Sequence, residues 1–405
     1  MDVGSSWREV FKGNIGVIAL SWILFGVGMS LTIPYFPLYI RMLGGEYIHI
    51  GLIGFWSNLI SSFLTLLGGY IADVYGRKKI VVYLTWGLVA TRFLYAAAPS
   101  WEIVLIINIA EACFRMYIPA LSAILMDSLP PEKRAGGLLL AGSATIIPGL
   151  VFPPLGGYLL DTMGLNGLRL CYIISGVTGC LAAGLRMFML KETFEVSERP
   201  KLSVAIVKAW REYVEGLKES PRGALILIGT TAFFTIPSTA VFRLYGVIYA
   251  TEVVGLTGSG WGIFTSISNV VSLILSLTTF FILDRFPRKF LLLIDAAARV
   301  FLNFILVYPS PYTVLLAVVF SSISHSLTFS IRKALLADFV EKDLRGRLSA
   351  VETLSRTFSM SISNLLAGII YSLNAIFSFE ISCIIALLDA ICVALFIREP
   401  RVKKL

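Results

Sequence analysis

The sequence predicts an all-α membrane protein with twelve transmembrane helices in two six-helix bundles related by a pseudo-two-fold. Three observations carry this reading. The 405 residues are 57% hydrophobic and only 15% charged, too little charge to cover a soluble protein of this size. The apolar residues fall in long runs, such as Ile15 to Ile40 and Leu225 to Ala250, and runs above about 18 residues read as membrane-spanning helices. The chain also repeats at a gap-free offset of 211 residues: Asp73 falls on Asp284, Gly44 on Gly255, Gly51 on Gly262, Asp127 on Asp338, Arg134 on Arg345 and Gly157 on Gly368. A duplicated membrane unit suggests two halves that move about a site between them.

Taken in order, the spans are expected at 14–41, 49–73, 79–98, 101–127, 135–161 and 167–190, then 223–253, 259–283, 289–308, 311–338, 346–372 and 376–397. Six fall in each repeat. The expected domains are therefore an N-terminal bundle over 1–192, a cytoplasmic linker over 193–222 and a C-terminal bundle over 223–405. No segments of about 10 alternating residues argue for a membrane β-barrel. In the linker, Leu202, Ile206, Trp210, Tyr213 and Leu217 recur at helical spacing, with Lys208, Arg211, Glu215 and Lys218 facing away. This is an amphipathic helix, either lying on the membrane surface or packed under the bundles. Pro34, Pro37, Pro148, Pro153 and Pro154 interrupt spans, which neighbouring helices in a bundle can tolerate.

The net charge of +9 is spread over alternate loops. Arg77, Lys78 and Lys79 follow span 2, Lys133 and Arg134 follow span 4, Arg288 and Lys289 follow span 8, and Arg345 and Arg347 follow span 10. The other loops carry almost no Lys or Arg, so the positive-inside rule places both termini in the cytoplasm. Such dispersed charge does not read as a nucleic-acid surface. No cleavable signal peptide is expected, because span 1 is too long for one. The five cysteines are scattered within apolar spans, without a Cys-x-x-Cys pair, and imply neither disulfide nor metal.

Several spans carry polar stripes, which must face protein or water. Span 7 has Thr231, Thr235, Thr239 and Arg243; span 4 has Asn108, Glu111, Arg115 and Ser122. Span 10 has Ser321, Ser322, His325, Thr328 and Arg332, and span 1 has Ser21, Thr32, Tyr35 and Tyr39. Glu111 and Arg115 sit one helical turn apart near mid-membrane, where an unpaired charge costs at least ~2.5–3.5 kcal/mol. They read either as a structural ion pair or as a proton and substrate site, and Arg92 is placed to reach Glu111. Arg243 and His325 add to an excess of positive groups that favours an anionic or polar neutral solute. Arg332 is expected to snorkel to the cytoplasmic rim. Asp295 with Arg299, Asp389, and Glu352 with Arg356 read as structural charges.

The stretch Gly69-Tyr70-Ile71-Ala72-Asp73-Val74-Tyr75-Gly76-Arg77-Lys78 resembles the loop between spans 2 and 3 of the major facilitator superfamily, with Val74 in place of the usual Arg. A second copy runs from Asp284 to Lys289, and Asp127 to Arg134 is similar to the family's end of span 4. The resemblance implies the two-bundle fold, a central cavity lined by spans 1, 4, 7 and 10, and a cytoplasmic latch. That latch would comprise Asp73, Gly76, Arg77, Lys78, Asp127 and Arg134, with Asp284, Arg288, Asp338 and Arg345 in the second half. The family's drug-antiporter residues are mostly missing, since Ile107 and Glu111 stand where Arg and Gly are expected. Only Pro153-Pro154-Leu155-Gly156-Gly157 keeps the end of the span 5 signature.

The expected function is a secondary active transporter of the plasma membrane. It would move a small solute by alternating access with proton coupling, through a path of Tyr35, Asn108, Glu111, Arg115, Thr235, Thr239, Arg243 and His325. A multidrug or metabolite efflux antiporter and a non-transporting solute sensor on the same fold are the alternatives. The chain is not expected to be an enzyme: it has two histidines, His49 and His325, and no phosphate-binding glycine loop. No cofactor, metal or nucleic-acid partner is expected. The bilayer, a solute and protons are the partners, and the chain is expected to be a monomer.

Overall fold

The computed structural model describes residues 13–129, 144, 146–194, 202–340 and 344–397. The described residues are helical, without strands. The first repeat supplies span 1 (Asn14–Met42), span 2 (Tyr47–Tyr75), span 3 (Arg77–Ala97), span 4 (Trp101–Asp127), span 5 (Ile146–Met163) and span 6 (Leu165–Met189). The linker helix is Leu202–Glu219. The second repeat supplies span 7 (Arg222–Val253), span 8 (Gly258–Arg285), span 9 (Arg288–Ile305), span 10 (Pro311–Phe339), span 11 (Arg345–Leu373) and span 12 (Ala375–Phe396). Ten of these are long and apolar enough to cross a membrane by themselves; spans 9 and 11 are not. Span 9 carries Arg288, Lys289, Asp295 and Arg299, and span 11 carries Arg345, Arg347, Glu352 and Arg356. Such helices depend on neighbours to satisfy their polar groups.

The repeat is visible in the backbone. Gly44 and Gly255, repeat partners, end spans 1 and 7 at φ 83° and 80°, a left-handed conformation that glycine adopts without a Cβ clash. The compact units nevertheless do not follow the halves of the sequence. The first comprises residues 1–44, 63–208 and 257–266, and the second 45–62, 209–256 and 267–405. The first part of span 2 thus belongs to the second unit, and the first part of span 8 to the first.

Each displaced helix start is held by matching contacts within its unit. In the first unit the Tyr35 hydroxyl lies 2.6 Å from the Pro153 carbonyl and 3.2 Å from that of Gly258. Asp161, on the last turn of span 5, accepts from Gly258 N (2.7 Å), Ser259 N (2.8 Å) and Ser259 Oγ (2.5 Å). It therefore caps the N-terminus of span 8, where donors are unpaired and the dipole is positive. In the second unit Tyr245 donates to the Tyr47 carbonyl at 2.7 Å, and Ser361 to that of Phe55 at 2.8 Å. A Cβ on Gly51 would stand 2.5 Å from the Asn364 carbonyl, and one on Gly262 would stand 2.6 Å from that of Pro153. Gly258 is the repeat partner of Tyr47, Gly262 of Gly51, and Asn364 of Pro153. One close-packing solution is therefore used twice, but the carboxylate cap is made once, because Ser372 occupies the position equivalent to Asp161.

The apolar cores also correspond. Ile15, Ile18, Val81, Tyr117, Leu121, Ile124 and Leu190 pack together in the first unit. Ala224, Leu227, Leu292, Ile331, Leu335, Val351 and Val393 do so in the second. From Ala209 onward the linker helix belongs to the second unit. Tyr213 and Leu217 pack on its core and Arg347 pairs with Glu219 at 2.9 Å, so these two residues of the apolar stripe cover protein while Trp210 is exposed.

The second core surrounds a network of charges. Asp295, Arg299 and Asp389 have no exposed surface, and Arg332 is 4% exposed. Arg299 Nη2 donates to Asp389 (2.7 Å) and Asp295 (3.1 Å), and its Nη1 donates to Ser238 (3.1 Å). Ser324 and Thr328 donate to the other oxygen of Asp295 at 2.7 and 2.8 Å. Arg332 donates to Thr231 (2.7 Å) and Thr235 (2.6 Å) and lies 3.5 Å from Asp389. Two acids balance two guanidiniums, which is how charge is held away from water.

These contacts lead to two expected outcomes. Asp161→Ala should cost about 1 kcal/mol, as for loss of a helix cap, and should speed hydrogen exchange at residues 258–261 as read by mass spectrometry. Asp161→Asn, which keeps an acceptor, should be milder. Asp389→Ala should cost about 3–5 kcal/mol by stranding buried guanidiniums. Adding Arg332→Leu, matching its repeat partner Leu121, should recover part of that loss in thermal unfolding of the purified chain.

Candidate functional site

Span 4 is distorted where its charges lie. Pro119 lacks an N–H and crowds the carbonyl four residues before it, that of Arg115. The chain responds with a 3-10 turn at Arg115–Tyr117 between α-helical segments. Glu111 sits one turn earlier and is buried, 2% exposed. Its Oε1 accepts from Arg115 Nη2 at 2.6 Å and from Arg92 Nη2, on span 3, at 2.7 Å. The two guanidiniums differ in setting: the Arg92 side chain is 11% exposed and that of Arg115 is 46% exposed. An exposed guanidinium at mid-span is costly against lipid, which favours a polar or wetted environment for this face. The trio carries one net positive charge. Behind it, Asn108 Nδ2 donates to the Tyr95 hydroxyl at 3.0 Å, and Tyr95 stacks on Tyr172 with ring centroids 5.1 Å apart. The Asn108 carbonyl oxygen is buried without a protein partner. The site can hold a proton, exchange an ion pair, or present a guanidinium to an anion. One carboxylate between two guanidiniums is not a donor set that suits a metal.

The stripe on span 7 does not stay on one face. Residues Thr231–Thr235 form a π-helical turn ahead of Pro237, and the wider turn shifts the register of the residues after it. Thr231 and Thr235 are buried against Arg332, and Thr235 also donates to Asp389 at 2.9 Å. Thr235 is therefore part of the buried network and does not line a path. Thr239 is half-buried and bonds to the Ile236 carbonyl of its own helix at 3.0 Å. Arg243 is exposed, and its Nη2 donates to Asn364 at 2.7 Å. His325 is also exposed. Tyr35, placed in the path by its sequence position, is fully buried and braces helices through its hydroxyl. The expectation that Arg332 snorkels to the rim is likewise corrected, because hydroxyls and Asp389 hold it inside.

The residues expected to form a latch make short ties within each unit. Arg77 pairs with Asp127 in the first, and Arg288 with Asp338 in the second. Gly76 takes φ 92° before span 3, and Lys78 N donates to Glu192 at 2.9 Å. Glu192, missed in the sequence, thereby caps span 3. Arg345 is exposed at the start of span 11. Arg134 lies outside the described residues. Asp73 and Asp284 are carried on spans 2 and 8, and only those helices are described.

This architecture has known relatives. The chain is 28% identical to the multidrug resistance protein MdtG of Salmonella arizonae over 263 residues, 63% of this chain and 61% of that protein. It is 24% identical to the multi-drug resistance efflux pump PmrA of Streptococcus pneumoniae over 47% of this chain and 48% of that one. The matches thus span less than two thirds of either relative. Among solved structures, a D-xylose-proton symporter superimposes with a TM-score of 0.73 at 16% identity, over 96% of this chain and 99% of that one. The nucleoside transporter NupG superimposes with a TM-score of 0.72 at 13% identity, over 94% and 97%. A family model of the Major Facilitator Superfamily matches residues 18–261 and 231–405. With the helix order, the repeat and these matches together, the chain belongs to the Major Facilitator Superfamily of multi-pass membrane transporters.

Proposed function

We propose that the chain is a secondary active transporter that moves a small solute across the plasma membrane by alternating access and couples that movement to protons at Glu111. The observation that carries this reading is the unequal sharing of one carboxylate: the largely buried Arg92 holds Glu111 from one side, while the half-exposed Arg115 holds it from the other. A solute group that engages Arg115 leaves Glu111 with one counter-charge, and a carboxylate with less compensation takes up a proton more readily. Proton and solute then exchange through a single residue. The ties Arg77–Asp127 and Arg288–Asp338 keep adjoining helix ends together as each unit moves.

Drug efflux is the second reading, favoured by the names of the relatives MdtG and PmrA. Against it stand Ile107 and Glu111 at positions where drug antiporters of the resembling type carry Arg and Gly. Proteoliposome flux, with solutes first chosen by thermal stabilisation, separates the possibilities. Glu111→Gln should keep solute counterflow within about twofold of wild type and lose accumulation driven by an imposed pH gradient, because one proton-binding group is removed while the guanidiniums remain. Gradient-driven accumulation that persists in Glu111→Gln would sink the coupling role.

A further inference from the structure

The arginines within the spans are held in different ways; Arg169, half-buried on span 6, donates to the Ala98 carbonyl at 3.1 Å. Arg92 and Arg115 share Glu111, Arg299 and Arg332 meet Asp389, and Arg356 lies 3.3 Å from Glu352. Arg186 lacks a carboxylate but is fully buried; it donates to Ser21 and Thr85 at 3.0 Å and faces the rings of Phe25 and Tyr117. Nothing can approach it. Arg243 is open instead. Span 7 is buried from Ala240 to Ala250 apart from Arg243, which is exposed, and Leu244, which is half-buried. Among the described residues the Arg243 guanidinium has one hydrogen-bond partner, Asn364 Oδ1 at 2.7 Å, and no carboxylate within ion-pair distance. A neutral amide does not compensate a charge carried within a span, which at the centre of a membrane helix costs at least ~2.5–3.5 kcal/mol.

Asn364 is itself constrained. It is 1% exposed. A Cβ on Gly54 would stand 2.6 Å from its Nδ2, and one on Gly51 would stand 2.5 Å from its main-chain carbonyl oxygen. The amide is therefore wedged against the glycine face of the first part of span 2, and its Oδ1 is turned to Arg243. We propose that Arg243 binds the anionic group of a small organic anion, and that Asn364 is a placeholder the anion displaces. A carboxylate, sulfonate or phosphate matches the planar donor fork and supplies the missing charge. Displacement removes a bond between spans 7 and 11 beside the glycine seam, so solute binding loosens that seam. The inference rests on the reading of the chain as a solute carrier and deepens it by naming the substrate class.

The test uses the full purified chain and simple aryl probes: benzoate, benzenesulfonate and phenyl phosphate, with benzamide and benzyltrimethylammonium as neutral and cationic counterparts. At least one anion should raise the melting temperature of the wild type. Arg243→Gln should abolish that shift, and Arg243→Lys should keep a weaker one. Asn364→Ala should bind the anion about tenfold more tightly, since one competing charged hydrogen bond is gone; a purely structural asparagine would weaken it. The proposal is overturned if no anion stabilises the wild type, if the shift survives Arg243→Gln, or if Asn364→Ala weakens binding. Vesicle flux of a neutral or cationic probe in the face of such a result would leave the transport reading standing. Absence of flux for every stabilising probe would overturn that reading instead.

Discussion

A polar group carried into hydrocarbon must find its partner within the protein or in trapped water, and this constraint shapes the whole molecule. Spans 9 and 11 are too polar to cross alone, yet they are accommodated because neighbours supply partners for most of their charged groups. Asp295 and Arg299 on span 9 close with Asp389 of span 12 and with hydroxyls of spans 7 and 10. Arg186 manages without an acid by using two hydroxyls and two aromatic faces, which suits a weakly hydrated, planar cation. Even the helix irregularities obey it. The 3-10 turn ahead of Pro119 and the π turn ahead of Pro237 rearrange the backbone bonds around a residue that cannot donate.

Against this shared constraint the two halves have diverged in opposite places. The charged trio of the first unit, Arg92, Glu111 and Arg115, has Asn303, Ser322 and Ser326 as repeat partners. The charged network of the second, Asp295, Arg299, Arg332 and Asp389, has Leu84, Leu88, Leu121 and Thr178. Where one half buries leucine, the other buries a balanced set of ions; where one holds a half-exposed ion pair, the other has small hydroxyls. The balanced network behaves as a core. The trio carries an excess positive charge and keeps one guanidinium half-exposed, which is the arrangement the proposed coupling role draws on.

Much of this was legible in the sequence. Hydrophobic run length located the helices, the offset revealed the duplication, and helical spacing marked both the linker helix and the pairing of Glu111 with Arg115. Arg92 was within reach by position, and the structure closes that contact. The stripe on span 7 was not legible as it stands, because a period of four assumes an unbroken α-helix and the π turn at Thr231–Thr235 breaks it. Arg332 was misplaced since its distance to the membrane rim says nothing of the hydroxyls waiting inside. Tyr35 was misread because a tyrosine on a polar stripe and a tyrosine bracing two carbonyls look alike in one dimension. The role of Asp161 depends on a helix start nearly a hundred residues away, which no local pattern encodes.

The exchange of helix starts between the units also bears on how the chain can be cut. A break in the linker would separate the repeats neatly in sequence, yet each fragment would lack part of its own packing unit: residues 257–266 for one, 45–62 for the other. Fragments made this way would expose the glycine faces of Gly157 and Gly368 that the missing pieces cover. They should recover order when co-expressed and remain poorly folded apart. The duplication that built the chain has therefore been succeeded by mutual dependence, so that the two copies are no longer two proteins joined end to end.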